Sequence, residues 1–191
     1  MNNVKNNVKK NVKKTIHYAI PVALAAAGAS DPAHADQIFL NFNGEIPGES
    51  VDESHKNEID VLSWSWNMSR DPGSGGGGPT PAQIRDIKVI KYVDKATPQL
   101  ALRLLDGKGL SEANLIVRNT GGKGALEYLK IKMSDVVVTK VAQGGDQVAA
   151  RASETVALSF SQVCITYTPL VGGLPGAPST TCWDIQSNSK L

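Results

Sequence analysis

The sequence predicts a mainly β, antiparallel domain with one flanking α-helix, on three observations. Apolar residues recur at period two through most patterned segments, as in strands with one buried face. Gly- and Pro-rich turns punctuate those segments. Only one stretch carries helical spacing. Many strands joined by turns fit either a barrel or a sandwich.

In residues 37–43, Ile38, Leu40 and Phe42 alternate with Phe39, Asn41 and Asn43 and read as the first strand. Gly44 to Asn57 has few apolar residues and a mixed charge run of Glu49, Asp52, Glu53, His55 and Lys56. Loops of that length are usually functional or disordered. Glu58 to Arg70 is the strongest strand pattern, with Leu62, Trp64, Trp66 and Met68 on one face and Ser63, Ser65 and Asn67 on the other. Asp71 to Pro79, with its run Gly75–Gly78, reads as a flexible excursion. Ile84 to Val93 is another strand.

Thr97 as N-cap and Pro98 in the first turn open the helix. Leu100, Leu104 and Leu105 form its apolar stripe, and Gly107 supplies a left-handed end. Leu115-Ile116-Val117 marks a strand that Gly121–Gly124 turns into a long one, Leu126 to Val141. After Gly144-Gly145-Asp146, the apolar set Val156, Leu158, Phe160 changes parity to Val163, Ile165, Tyr167, which reads as a β-bulge near Ser161 and Gln162. A Gly/Pro-rich loop then leads to a last strand with Trp183 and Ile185. Val136-Val137-Val138 and Leu115-Ile116-Val117 are apolar on both faces, so their second face needs cover from the helix or from another subunit. One short helix covers little, and a second subunit is the expected cover.

The chain has 191 residues, 41% of them hydrophobic, with two Cys. That fits one folded domain, or a domain with a leader, and excludes a disordered chain. No apolar run reaches the ~18 residues that span a bilayer, so stable membrane insertion is not expected. The first 35 residues differ from the rest: Lys5, Lys9, Lys10, Lys13 and Lys14, an apolar run Ala19–Ala29, and Ala33-His34-Ala35 before Asp36. Basic start, short apolar run and small-x-small end make a secretory signal peptide. The organisation read here is a signal peptide over 1–35, cut between Ala35 and Asp36, and a β domain over 36–191. A basic arm for membrane or nucleic acid is the alternative, against which Pro21 and the Ala-x-Ala end both weigh. Without its five Lys and one Asp, the remainder carries 15 basic against 17 acidic residues, a net charge of −2 where the whole chain has +2. A near-neutral domain is a poor match for a phosphate backbone, and nucleic acid is not an expected partner.

Catalytic chemistry finds little to work with. His55 is the sole imidazole after the leader and reads as a solvated loop residue, so a two-histidine metal site or a histidine-based triad is not expected. Gly75–Gly78 and Gly121-Gly122-Lys123-Gly124 lack the phosphate-loop frame. Glu49, Asp52, Glu53, Glu58 and Asp60 have neither calcium-loop spacing nor a glycosidase signature, and read as solvated or salt-bridged. No cofactor is expected. Cys164 lies opposite in parity to Val163 and Ile165, as Cys182 does to Trp183 and Ile185, so the two thiols share one face of a hairpin and are candidates for a disulfide.

Gly48-Glu49-Ser50 with His55 to Trp66, then Lys91-Tyr92-Val93-Asp94-Lys95-Ala96-Thr97-Pro98, Val117-Arg118 with Gly121-Gly122 and Glu127 to Ile131, and Tyr167-Thr168-Pro169 with Trp183-Asp184-Ile185 together resemble the Hcp family, the haemolysin-coregulated tube proteins of type VI secretion. The resemblance implies a β-barrel with a flanking helix, assembled as a six-membered ring that stacks into a tube and carries effector proteins in its lumen. It implies self-association, effector cargo and the spike and sheath components of the secretion apparatus as partners. The loop Gly44–Asn57 resembles the family's extended loop, which implies ring-stacking contacts through Glu49, Asp52, His55 and Lys56; plain solvent exposure is the alternative. Typical members carry no cleavable leader. Two functional readings follow: a secreted, non-catalytic ring and tube subunit, or an exported adaptor or effector that binds a periplasmic or extracellular partner without building a sheath-enclosed tube.

Overall fold

The computed structural model describes residues 36–71, 80–121, 125–172 and 174–191. The signal peptide read over 1–35, with Ala35 of its cleavage site, the glycine run 75–78 and turn residues 122–124 lie outside the described residues. The strands are β1 (Gln37–Asn41), β2 (Ile59–Val61), β3 (Ser63–Ser65), β4 (Met68–Ser69), β5 (Gln83–Ile84) and β6 (Ile87–Tyr92). After helix α1 (Thr97–Asp106) come β7 (Leu110–Asn119), β8 (Leu126–Gly144), β9 (Ser153–Ser159) and β10 (Gln162–Tyr167). The chain ends with β11 (Leu170–Val171), β12 (Leu174–Pro175), β13 (Ser179–Asp184) and β14 (Ser189–Lys190).

Two antiparallel sheets enclose one core and share β8. One runs β14-β13-β10-β8-β7-β1-β2; the other runs β3-β6-β9-β8. The first half of β8 pairs with β7 and β10, and its second half pairs with β9. Two irregularities let a single 19-residue strand serve both. Asp135 has φ 53, and the β8–β9 register shifts between Val138 and Lys140. Each inserted residue reverses parity, so Ile131 and Met133 are buried from odd positions and Val136 and Val138 from even ones.

The same sheet change breaks the expected strand Glu58–Arg70 into β2, β3 and β4. Ile59 and Val61 are buried in the first sheet, while Trp64 on β3 and Trp66 just past its end pack against the core. Leu62 is the corner residue; its N–H donates to Ile90 O at 2.7 Å and its side chain faces out. β2 and β3 follow one another without pairing, so the barrel ladder is open here. Ser161 is a second corner. The parity change there is no bulge: β9 ends, Ser161 N–H donates to Ser134 O at 3.1 Å, and β10 begins on the other half of β8.

Helix α1 packs against β8. Its N-cap is Ala96 without a side-chain cap, and Thr97 lies one residue inside. Leu100 is fully buried and Leu104 half-buried, but Leu105 points to solvent, 83% exposed. Gly107 ends the helix at φ 67, its N–H bonded to Arg103 O. Thr97 is drawn inward by a buried ionic cluster. Lys91 shares the inward face of β6 with Ile87 and Val89, and Glu154 lies opposite it on β9. Both side chains are fully buried, with Nζ 2.7 Å from Glu154 Oε1 and 2.7 Å from Asp94 Oδ1. Thr97 Oγ1 donates to Glu154 Oε1 at 2.8 Å, and Gln143 Nε2 donates to the other oxygen at 3.1 Å. Nζ also donates to Tyr92 O at 2.8 Å. A buried charge pair is tolerable only when its remaining hydrogen-bonding capacity is filled in this way.

Cys164 and Cys182 face each other across β10 and β13, their Cα atoms 4.0 Å apart, and are joined by a disulfide. Two residues along the ladder, the Thr166 and Thr180 hydroxyls lie 2.9 Å apart.

Lys91→Ala strands the Glu154 carboxylate in the core and is expected to cost about 3–5 kcal/mol in urea unfolding. Lys108→Ala, which removes a 73% exposed ammonium 3.8 Å from Asp106, is expected to change stability by less than about 0.5 kcal/mol. Equal costs in the two variants would contradict this view of the cluster.

Candidate functional site

Phe39 sits on the outward face of β1, opposite Ile116 on β7, yet both are buried, 3% and 8% exposed. The cover comes from this chain. The loop 44–57 folds back on itself and lays His55 on Phe39, ring centroids 4.0 Å apart and planes nearly parallel. The Arg118 guanidinium lies 5.0 Å from the same ring. His55 is therefore no solvated loop residue; it is 3% exposed and acts as the lid of an apolar spot on the outer wall. A second subunit is not needed over this part of the Leu115-Ile116-Val117 face.

Backbone pairing shapes the loop. Gly48 N–H donates to Asn57 O at 2.7 Å, Ser50 N–H to Glu58 O at 2.9 Å, and Asn57 N–H to Ser50 O at 2.9 Å. Gly48 lies so close to the Glu58–Ile59 backbone that a Cβ there would stand 2.2 Å from Glu58 O, a contact only glycine avoids. Charge then fastens the loop to the sheet. Arg118 holds Asp52 through both terminal guanidinium nitrogens, Nη1 donating to Oδ1 at 3.0 Å and Nη2 to Oδ2, while Nε donates to Gln37 Oε1 at 3.1 Å. Asp52 Oδ1 also accepts from the Ser54 and His55 N–H groups at 3.0 and 3.2 Å. His55 Nδ1 lies 3.0 Å from Glu58 Oε2, and its Nε2 points toward Glu127 Oε1 at 3.3 Å.

Of the four loop residues singled out in the sequence, the structure brings Asp52 and His55 together inside this clasp. Glu49 lies elsewhere, accepting from Lys95 N–H at 3.0 Å just before α1, and Lys56 is exposed. Val51, at the tip, is 95% exposed. Arg118, Glu58 and Glu127 were not singled out as loop partners, although Phe39 and Ile116 at outward parity signalled that something had to cover them. Asp36, the residue after the expected cleavage point, accepts from the Tyr128 hydroxyl at 2.7 Å. Burial, then that hydrogen bond, pushes the Tyr128 hydroxyl up to about 12. Among the described residues no group of three His, Cys, Asp or Glu side chains is placed to hold a metal ion. The arrangement binds a loop to a wall.

The Arg118 guanidinium beside Asp52 holds its carboxyl down at about 2, below the ordinary 3.8. The folded state favours ionised Asp52, so this fastening is complete above the ordinary carboxylate range and is lost as pH falls through about 2. NMR titration should find the Asp52 midpoint near 2 and, in Arg118→Gln, back toward 3.8. An unchanged midpoint in the variant would contradict the clasp.

Known proteins resemble most of this chain. The family described as "Type VI secretion system effector, Hcp" matches residues 39–167. Protein hcp1 of Pseudomonas aeruginosa is 39% identical over 150 residues, which is 76% of this chain and 93% of that protein. The crystal structure of Hcp1 from Salmonella typhimurium superposes with a TM-score of 0.70 at 35% identity, covering 82% of this chain and 99% of that one. A type VI secretion system effector from Yersinia pestis follows with a TM-score of 0.64 at 30% identity, covering 78% of this chain and 99% of the other. The family match runs from β1 to the end of β10 and takes in the helix and the clasped loop, and the chain belongs to the Hcp family of type VI secretion proteins.

Proposed function

We propose that this protein is a secreted, non-catalytic building unit whose copies close into a six-membered ring, stack into a tube and carry effector proteins in the lumen. Family membership supports the reading, and one structural observation carries it. The clasped loop covers the outer wall at β1 and β7, but the second sheet and the corner leading into it keep aliphatic side chains in solvent: Leu62 at the corner is 47%, Ile90 40% and Val137 40% exposed. Side chains of this kind, repeated along one wall, suit burial between copies. A head-to-tail contact that closes gives a ring, and a ring face complementary to the next ring's face gives a stack.

In this reading the loop 44–57 makes the stacking contacts. Glu49, Val51 and Lys56 present its outer side, and Asp52 and His55 fix its shape from within. Residues 1–35 serve as a signal peptide cut between Ala35 and Asp36, and the Cys164–Cys182 bond suits the oxidising compartment that export would reach.

Light scattering on the exported protein is expected to give the mass of six copies, and electron microscopy a ring with an open centre. A single-copy mass at high concentration would overturn the proposal. N-terminal sequencing of the same material should begin at Asp36; a retained Met1 would remove the signal peptide from it.

A further inference from the structure

Asn43-Gly44 is the one Asn-Gly step in the chain, and it forms the turn between β1 and the clasped loop. Asn43 has φ 50 and Gly44 φ 81, and Glu45 N–H donates to Phe42 O at 2.9 Å. Two left-handed residues under a closing hydrogen bond make a type I′ turn. Both residues are exposed, while Phe42 before them and Ile46 after them are buried. Gly44 stands in open space: a Cβ built on it would meet nothing within 4 Å. Its own N–H donates to no acceptor among the described residues. The Asn43 side-chain amide hydrogen-bonds the Glu112 carboxylate on β7, which Lys132 also holds at 2.6 Å.

An asparagine ahead of a glycine sets an electrophilic amide carbon beside the least crowded nitrogen the backbone offers. We infer that Asn43 is a site of spontaneous deamidation through a cyclic imide closed by Gly44. The Gly44 nitrogen attacks Asn43 Cγ and forms the N–Cγ bond. The Cγ–Nδ2 bond breaks, and Nδ2 leaves as ammonia with the proton that the Gly44 nitrogen gives up. Water then opens the five-membered imide. Hydrolysis at N–Cγ gives Asp, and hydrolysis at the main-chain carbonyl carbon gives isoaspartate. The Asp106-Gly107 step could close the same ring with loss of water, but its nitrogen is engaged: Gly107 N–H donates to Arg103 O at 3.1 Å at the end of α1.

The position gives the reaction a structural consequence. Either product puts a negative charge beside Glu112, where an amide now donates. Isoaspartate also adds one carbon to the main chain between buried Phe42 and buried Ile46, so the Glu45–Phe42 turn bond no longer fits. The change loosens the foot of the loop that covers Phe39. It is intramolecular and does not depend on the ring and tube reading.

The test holds dilute full-length protein warm for several days in mildly alkaline and in mildly acidic buffer. Peptide mapping by mass spectrometry follows each Asn, and enzymatic methylation scores isoaspartate. Asn43 is expected to convert about tenfold faster than Asn57 and Asn188, which share its positive φ but precede side chains, Glu58 and Ser189, that crowd the nitrogen. Conversion should be faster in alkali, where more of the attacking nitrogen is deprotonated, and should yield both Asp and isoaspartate. Asn43→Gln, which lacks the five-membered closure, and Gly44→Ala, which crowds the nucleophile, should each stop it. Hydrogen exchange at the Glu45 N–H should rise about tenfold in aged protein and stay at its fresh value in aged Asn43→Gln. Asn43 converting no faster than Asn57 or Asn188, Asp as the only product, isoaspartate forming equally at Asp106, or unchanged exchange at Glu45 would each overturn the inference.

Discussion

The constraint on which this structure turns is that each sheet carries some apolar side chains on its outer side as well as in the core, Phe39 and Ile116 on the first and Ile90 and Val137 on the second. An antiparallel sheet with one greasy face needs only a core; with two, it needs a second cover. At β1 and β7 the chain supplies that cover itself, laying His55 on Phe39 and fastening the loop with the Asp52–Arg118 pair. At β6 and the second half of β8 no such loop arrives among the described residues, and Ile90 and Val137 are 40% exposed. The hydrophobic effect is worth roughly 25 cal/mol per Å² of apolar area removed from water. Several half-exposed aliphatics on one wall are therefore a steady bias toward association. The loop covers one wall from within the chain, and the proposal gives the other wall to a neighbouring copy.

The interior shows the opposite arrangement, with charge placed where apolar residues alone would have filled the space. Lys91 and Glu154 bring a complete ionic cluster into the corner where β6 ends and α1 begins. Apolar residues of similar volume often match such pairs in stability, and their use lies in directionality. Here the cluster binds the Asp94 and Thr97 side chains, so it fixes the point at which the chain leaves the sheet and the helix starts.

The main core strands, the helix and its glycine end, and the common face of the two cysteines were legible from parity and turn chemistry alone, whereas the short pairs β4–β5 and β11–β12 and the terminal β14 were not. What parity could not show was where a strand changes partner. Glu58–Arg70 looks like one long strand because a corner at Leu62 leaves no glycine or proline behind, and Ser161 looks like a bulge because a corner and a bulge shift parity alike. The clasp was hidden for another reason. His55 sits in a run of charges that any periodicity argument assigns to solvent, and its burial depends on Phe39 and Arg118, which are distant in sequence. The Lys91–Glu154 pair was recoverable, since Lys91 is in phase with Ile87 and Val89 and Glu154 with Val156 and Leu158. Two opposite charges at inward parity on neighbouring strands are a signal in themselves.

The claim that one wall is finished within the subunit and the other between subunits is open to direct measurement by hydroxyl-radical footprinting across a dilution series. Phe39 should be protected at every concentration, whereas Leu62, Ile90 and Val137 should be protected in concentrated protein and react freely on dilution. Constant reactivity at Ile90 and Val137, or a Phe39 that becomes reactive together with them, would contradict the account.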